Sequence, residues 1–348
     1  MNLVLAKTET GRGLSDSFAI ARGRLPGTGN VAEIRRQAFE AYERAGLPHR
    51  RIEDWKYTDL RVLMREVLPL APAPDAAALS RAEAALKLYG IKGARRLVLV
   101  DGLFAPKLSD IGGLEKGLHV RSLSEVLEAG DSALQAQVFA FDNSNPMIAI
   151  NSAMATDGVV LEIANGTVLK QPLHVVHIAS GCTPAAMFTR SLLRLGRDAA
   201  ATLVESYVGG EGAKAYQVHD SLIVSIGDNA RLDHLRFVED SREAFNVCSA
   251  LVTLGARANL NAFGLVSGAG VSRYQPTIVF AGEGSRVETN GVNLLNGRQH
   301  ADTTLFVDTR CPTATAARCS APSSMTAAIR CSRAASSSVP TRRRPTPR

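Results

Sequence analysis

Seven histidines are spread along the 348-residue sequence, at His49, His119, His174, His177, His219, His234 and His300. No two of them stand four apart on a helical pattern, and there is no Cys-x-x-Cys, no phosphate-binding Walker loop and no Gly-x-Gly-x-x-Gly after a strand. His174 and His177 are three apart on an expected strand, so their side chains should project to opposite faces and cannot share an ion. All seven read as packed or surface histidines, and no metal ligand is assigned. Free cysteine in the body of the chain is limited to Cys182 and Cys248, each among small or apolar neighbours with no histidine at nucleophile spacing. Both read as small hydrophobes.

Paired carboxylates are the remaining route to chemistry, since two of them ~5–9 Å apart can cleave a glycosidic bond. The candidates are Glu205, Asp220, Asp233, Glu239, Asp240, Glu283 and Glu288. They stand beside turns or alternate along strands, the usual place of solvated carboxylates, and nothing in the sequence brings a chosen pair together. No catalytic or cofactor-binding residue is assigned on this basis.

The elements that carry these residues change character along the chain. Residues 31–46 follow a helical pattern in which Ile34, Ala38 and Tyr42 share a face, with Asn30 able to cap the start and Gly46 at the stop. A second helical stretch is expected over Thr58–Val67, a third over Arg81–Tyr89, a strand over Arg96–Asp101, and a further helix over Leu123–Ala129. Residues 1–75 are therefore expected to be an α-helical region and 76–146 a mixed α/β linker.

From Met147 to Asp308 short alternating stretches replace the helical period. In Leu222–Ile226, Leu222, Val224 and Ile226 point one way and Ile223 and Ser225 the other. Four similar turns punctuate these strands, beginning at Gly196, Gly227, Gly255 and Gly282, which are 31, 28 and 27 residues apart. A recurring corner at near-constant period is the mark of a β-solenoid, because each coil returns to the same place. Glycine is expected at these corners for unusual backbone angles. The rival architecture is a β-sandwich. The fold class that follows is mainly β, with an α-rich N-terminal domain, a right-handed β-helix over 147–308 and a C-terminal tail.

That tail, 309–348, has eight Arg and five Pro but no Lys, Asp, Glu, Gly, Leu, Phe, Tyr or Trp. With so little apolar surface it is expected to be disordered. It also carries Cys311, Cys319 and Cys331, whose spacing fits no standard zinc site. Of the 40 basic residues it holds eight, and none of the 33 acidic ones, so residues 1–308 carry a formal charge of −1 rather than the +7 of the whole chain. The body has no interleaved aromatic and basic patch, which argues against nucleic acid as a partner. No apolar run approaches the length of a membrane span, so a cytoplasmic protein is expected.

Arg51-Ile-Glu53-Asp-Trp55-Lys56-Tyr57-Thr58 holds the one Trp of the chain. A tryptophan among charged residues can anchor a helical region without any catalytic purpose. The octet also resembles the Glu-x-Trp-Lys-Tyr-Thr signature of SufD-type proteins in the SufB/SufD family of iron–sulfur cluster assembly scaffolds. The resemblance continues through Leu97–Gly102 with Leu108-Ser-Asp110, and through Lys170–Leu173 with His177. It goes on in Asn229-Ala-x-Leu232 with His234, and in Gln299-His-Ala-Asp-Thr303. It implies an α-helical N-domain and a β-helix core, with Glu53, Trp55, Lys56, Tyr57 and Thr58 as structural signature residues. It further implies a non-catalytic scaffold subunit, partnered by a SufB-like paralogue and a SufC-like ATPase. The nascent iron–sulfur cluster would belong to that complex, and no cofactor to this chain alone.

After Asp308 the resemblance stops. With suitably chosen codons, Thr309–Ala317 and Met325–Arg348 read one base out of frame yield family-like segments, including Pro-His-Cys and Gln-Lys-Thr-Asp. A one-base loss after the Asp308 codon is therefore expected, and with it an impaired protein that has lost the ATPase-gripping helices. The other functions consistent with the residues are a generic β-solenoid interaction module and a carbohydrate-active β-helix enzyme.

Overall fold

The computed structural model describes residues 9–64, 66–140, 144–181 and 183–309, together with strands at 315–320 and 334–336. Its helices are α1 (Glu9–Ala21), α2 (Asn30–Ala45), α3 (Leu60–Leu63), α4 (Ala76–Tyr89), α5 (Leu123–Glu128), α6 (Ser132–Val138) and α7 (Pro146–Met154). The helix expected over 31–46 is α2. Val31, Ala38 and Tyr42 are buried along it, and Gly46, at φ 68°, ends it with its N–H on the Tyr42 carbonyl. The helix expected over Thr58–Val67 is only the single turn α3, capped by the Asp59 carboxylate. Around Leu70 the chain instead bridges in parallel to Ala186, with Ala71 donating to the Ala186 carbonyl and Ala186 to that of Pro69. Pairing with a distant strand outweighs a weak local helical preference.

The strands are β1 (Arg95–Val100), β2 (Leu103–Phe104), β3 (Leu118–Ser122), β4 (Val159–Ile163), β5 (Leu173–Ala179), β6 (Ala186–Leu195), β7 (Ala200–Gly209), β8 (Gln217–Ile226) and β9 (Arg231–Glu239). They continue as β10 (Phe245–Leu254), β11 (Asn259–Val266), β12 (Val271–Phe280), β13 (Arg286–Asn293), β14 (His300–Thr303), β15 (Leu305–Thr309), β16 (Thr315–Ser320) and β17 (Ala334–Ser336). One sheet runs β16-β13-β11-β9-β7-β5-β1-β2 and the other β17-β15-β12-β10-β8-β6-β4-β3. The ladder from β5 to β13 and the ladder from β4 to β12 are parallel throughout. Each coil thus lays one strand in each sheet, the arrangement of a parallel β-solenoid and not of an antiparallel sandwich.

The solenoid starts earlier than the sequence pattern suggested. β1 pairs with β5 from Arg95↔Leu173 to Val100↔Ile178, so part of the 76–146 segment belongs to the sheets. The expected boundary at Met147 falls inside α7, and the next strand begins at Val159. All nine residues of α7 are buried. A helix covered on every side has no polar face and hence no amphipathic period to read. Arg35 of α2 is buried against its end and donates from Nη1 to the Ala153 carbonyl at 3.0 Å. This satisfies a terminal acceptor and places a cation at the negative end of the helix dipole. Asn151, in the middle of α7, donates to the strand carbonyls of Thr189 (2.8 Å) and His219 (2.9 Å), which pins the helix to the second sheet.

The four glycine corners stack, for a reason other than the one expected. Positive φ occurs at the third residue of each turn, Asp198 (58°), Asn229 (57°), Arg257 (53°) and Gly284 (72°), not at the leading glycine. The leading glycines are needed because the preceding coil is too close. A Cβ on Gly227 would lie 2.8 Å from the Arg197 nitrogen, and one on Gly282 2.2 Å from the Ala256 nitrogen. Across the stack, Asp198 donates its N–H to the Asp228 carbonyl, Asn229 to Ala256 and Arg257 to Glu283. The Asn229 amide also donates to the Asp198 carboxylate at 2.8 Å.

Of the segment 309–348, expected to be disordered, Thr309 closes β15, and β16 and β17 lie parallel to β13 and β15. The rest of it, with Cys311 and Cys331, lies outside the described residues, as does Cys182. No described helix is long and apolar enough to cross a membrane.

Candidate functional site

Strand alternation sorts the interior of the solenoid into two halves. Next to the glycine corners it is apolar, with Leu195, Ile226, Leu254 and Phe280 packed against Ala199, Ala230 and Ala258. Toward the opposite corner the same inward-facing rows turn polar. On β5, Leu173 and Val175 join this apolar core while Val176 and Ile178 pack under Ala82, Ala85 and Leu86 of α4. His177 follows the inward set and His174 the outward set, so the two do face opposite sides, as their spacing required.

Inside, His177 stacks on Tyr207 with ring centroids 4.4 Å apart. The Tyr207 hydroxyl lies 2.9 Å from Asp220 Oδ2 and 3.3 Å from Glu205 Oε1. His234 Nε2 donates to the other Glu205 oxygen at 2.7 Å, and the Thr189 hydroxyl donates to Asp220 Oδ1 at 2.5 Å. The Arg236 guanidinium sits 4.7 Å from the Tyr207 ring centre and 4.5 Å from that of Tyr274, and donates to Asn246 Oδ1. Asn246 in turn donates to Asp240, whose other oxygen accepts from Tyr216. These groups are not solvated. Glu205 and Asp220 are each 3% exposed and Asp240 4%.

Burial pushes Glu205 toward the neutral form, but the His234 hydrogen bond, with the imidazole and guanidinium groups around it, outweighs burial, and its carboxyl ends below the ordinary value. Asp220 is pushed up, by burial first and by the neighbouring Glu205 charge. Burial likewise raises Asp240. The Cys248 thiol, pushed up to about 12 by burial, donates to Asn246 and is unreactive there, in keeping with its reading as a packed residue.

The sequence had suggested solvated carboxylates, and three of the seven are otherwise. Glu205, Asp220 and Asp240 are enclosed, whereas Glu239 and Glu283 are exposed and Asp233 pairs with Arg231 at the surface. Glu205 and Asp220 do converge, yet between two sheets rather than along a groove that a sugar chain could enter, which removes the support for glycoside chemistry. Of the other histidines, His219 stacks on Phe188, His119 is exposed and His49 is half-buried.

The signature octet forms a second constellation. Trp55 and Thr58 are buried, while Glu53, Lys56 and Tyr57 are exposed. Arg273 of β12 lies over the Trp55 ring, 4.7 Å from its centre, and donates to the Asp54 carbonyl at 2.6 Å. Thr58 donates to Asp302 at 2.6 Å and lies 3.0 Å from His300 Nε2. Two motifs far apart in sequence, Trp55–Thr58 and Gln299–Thr303, therefore meet where the helical region is fastened to the solenoid. Beside them is a pocket with about 10 Å³ of room for water, lined in part by Trp55, Met147, Asp220, Cys248 and Arg273.

Two family models adjoin over residues 27–321 of this architecture. The SufBD protein N-terminal region matches residues 27–175, and the SufBD core domain of SUF system FeS cluster assembly matches residues 176–321. The chain belongs to the SufBD family. Among curated SufBD relatives, an iron–sulfur cluster assembly SufBD family protein of Synechocystis sp. is 27% identical over 268 residues, 74% of this chain and 58% of that protein. The iron–sulfur cluster assembly protein SufD of Escherichia coli is 24% identical over 275 residues, 78% of this chain and 61% of its own length. The chain thus spans about three fifths of these SufBD relatives. Several motifs that carry the likeness have structural duties. Asp101, at φ 49°, accepts from the Ser180 N–H, and Ser109 Oγ accepts from the Val98 N–H.

Proposed function

We propose that this chain is a non-catalytic scaffold subunit in iron–sulfur cluster assembly, joined to a SufB-like paralogue and a SufC-like ATPase in the cytoplasm. The observation that carries the reading is that the two SufBD models adjoin over residues 27–321, covering the helical region from Asn30 onward and the solenoid that follows it. The stacked corners support it, since coils whose backbone amides bond the next coil build an extended, ordered surface for partners. The residue chemistry supports it too: Glu205 and Asp220 are enclosed, and Cys248 is held as a neutral thiol. The reading extends to the segment after Asp308, taken as the product of a one-base loss that weakens ATPase binding.

The test is co-expression with the SufB-like and SufC-like proteins of the same genome, using the gene as given and a version with one base restored after codon 308. Affinity purification of the restored form should recover both partners, with the present form recovering less of the ATPase. Failure of both forms to recover either partner, with iron–sulfur enzyme activities unchanged in a deletion strain, points instead to a solenoid interaction module of other purpose. Resequencing the locus decides the frame.

A further inference from the structure

His177, Glu205 and Asp220 come from three different strands, β5, β7 and β8, and each offers a ligand atom within 4.8 Å of the others. The strands belong to both sheets, so the three converge from opposite walls of the solenoid. His177 is 6% exposed, and its Nε2 is a buried polar atom with no hydrogen-bond partner. An unpaired ring nitrogen sealed inside a protein is costly, and a ligand at that nitrogen would offset the cost. Glu205, Asp220 and Asp240 place three carboxylates in the polar half of the interior, where oxygen ligands for a cation are gathered.

We propose that His177, Glu205 and Asp220 form a binding site for one first-row divalent cation inside the solenoid. One imidazole nitrogen and two carboxylate oxygens suit zinc, manganese or ferrous iron rather than a soft ion that demands sulfur. Metal–ligand bonds of about 2.0–2.2 Å hold tetrahedral ligand atoms about 3.3–3.6 Å apart. A pair at the 4.8 Å limit must therefore close by about 1.3 Å when the ion binds. His234, bonded to the far oxygen of Glu205, orients that carboxylate, as outer partners of metal ligands commonly do. The site departs from the expectation that none of the histidines is a ligand. It also stands apart from a role in cluster assembly, because it concerns an ion held by this chain alone.

The test uses the full chain, stripped with a chelator and dialysed against Co²⁺, Mn²⁺ or Zn²⁺, with bound metal measured by mass spectrometry. One equivalent is expected, with a Co²⁺ absorption spectrum of nitrogen and oxygen ligation. Glu205→Gln, Asp220→Asn and His177→Gln should each weaken binding tenfold or more, while the surface change Asp233→Asn leaves it intact. Folding of each variant is checked by circular dichroism. If the three unfold, the stoichiometry and spectrum of the unaltered chain still decide. Absence of stoichiometric binding, thiolate-to-cobalt charge transfer, or equal affinity in the folded variants overturns the proposal.

Discussion

The Thr58 hydroxyl donates to the Asp302 carboxylate at 2.6 Å across 244 residues of chain. The same carboxylate takes the Arg273 guanidinium, which also covers Trp55, so one buried acid ties the helical region to the far coil of the solenoid. Thr58→Val should destabilise the chain by about 1–3 kcal/mol, since it removes a hydroxyl from a buried carboxylate while keeping the shape. Thr58→Ser should recover most of the loss. Arg273→Ala should cost more, about 3–5 kcal/mol, because it strands Asp302. Urea midpoints measure each effect, and a Thr58/Asp302 double-mutant cycle should show coupling above about 0.5 kcal/mol. Additive losses at that pair count against the tie.

Gly282→Ala and Gly264→Ala form a matched comparison. A Cβ at Gly282 meets the Ala256 backbone at 2.2 Å, whereas one at Gly264 has nothing within 4 Å. The first substitution should lower stability by about 1–3 kcal/mol through overpacking of backbone on backbone. The second should be neutral or slightly stabilising, since alanine narrows the unfolded ensemble. Thermal melts of the two proteins should separate by several degrees, and identical melts would show that the coils do not stack this closely.

Arg257 occupies the left-handed corner at φ 53°. Arg257→Val should cost about 1–2 kcal/mol, since a β-branched residue fits that conformation poorly. Arg257→Asn should be tolerated without loss, because asparagine holds the equivalent place at Asn229. Denaturant midpoints that rank valine at or above asparagine contradict the assignment.

His174 is held down to about 4 from 6.5, by burial first and by the Arg96 charge on the paired strand. Its neutral ring lies 2.8 Å from Ser206 Oγ. A histidine that binds its proton more readily when unfolded stabilises the fold fully above pH about 6.5. That stability is lost as pH falls from there toward about 4, with a slope of up to about 1.4 kcal/mol per pH unit for one proton. His174→Asn should flatten the stability curve across this window and leave its shape above pH 7 unaltered. Parallel curves for the two proteins from pH 7 to 4.5 would refute it.

Much of this protein is legible in its sequence because the information is local or periodic. The corners at Gly196, Gly227, Gly255 and Gly282 recur because every coil must turn at the same place, and that spacing favours a solenoid over a sandwich, a choice the parallel ladders then decide. The stop of α2 at Gly46 and the opposite facing of His174 and His177 follow from the geometry of a single element. The tertiary structure decided what lies across from each row. Alternation along β7 groups Leu203, Glu205 and Tyr207, but says nothing of which side faces inward, because helices cover the outer sheet faces as well. The parallel pairing of β7 with β9 sets Glu205 beside His234, and only the closing of the two sheets brings His177 toward Asp220. The glycines, too, owe their identity to the backbone of the neighbouring coil some 30 residues away, a distance that local backbone preference does not span.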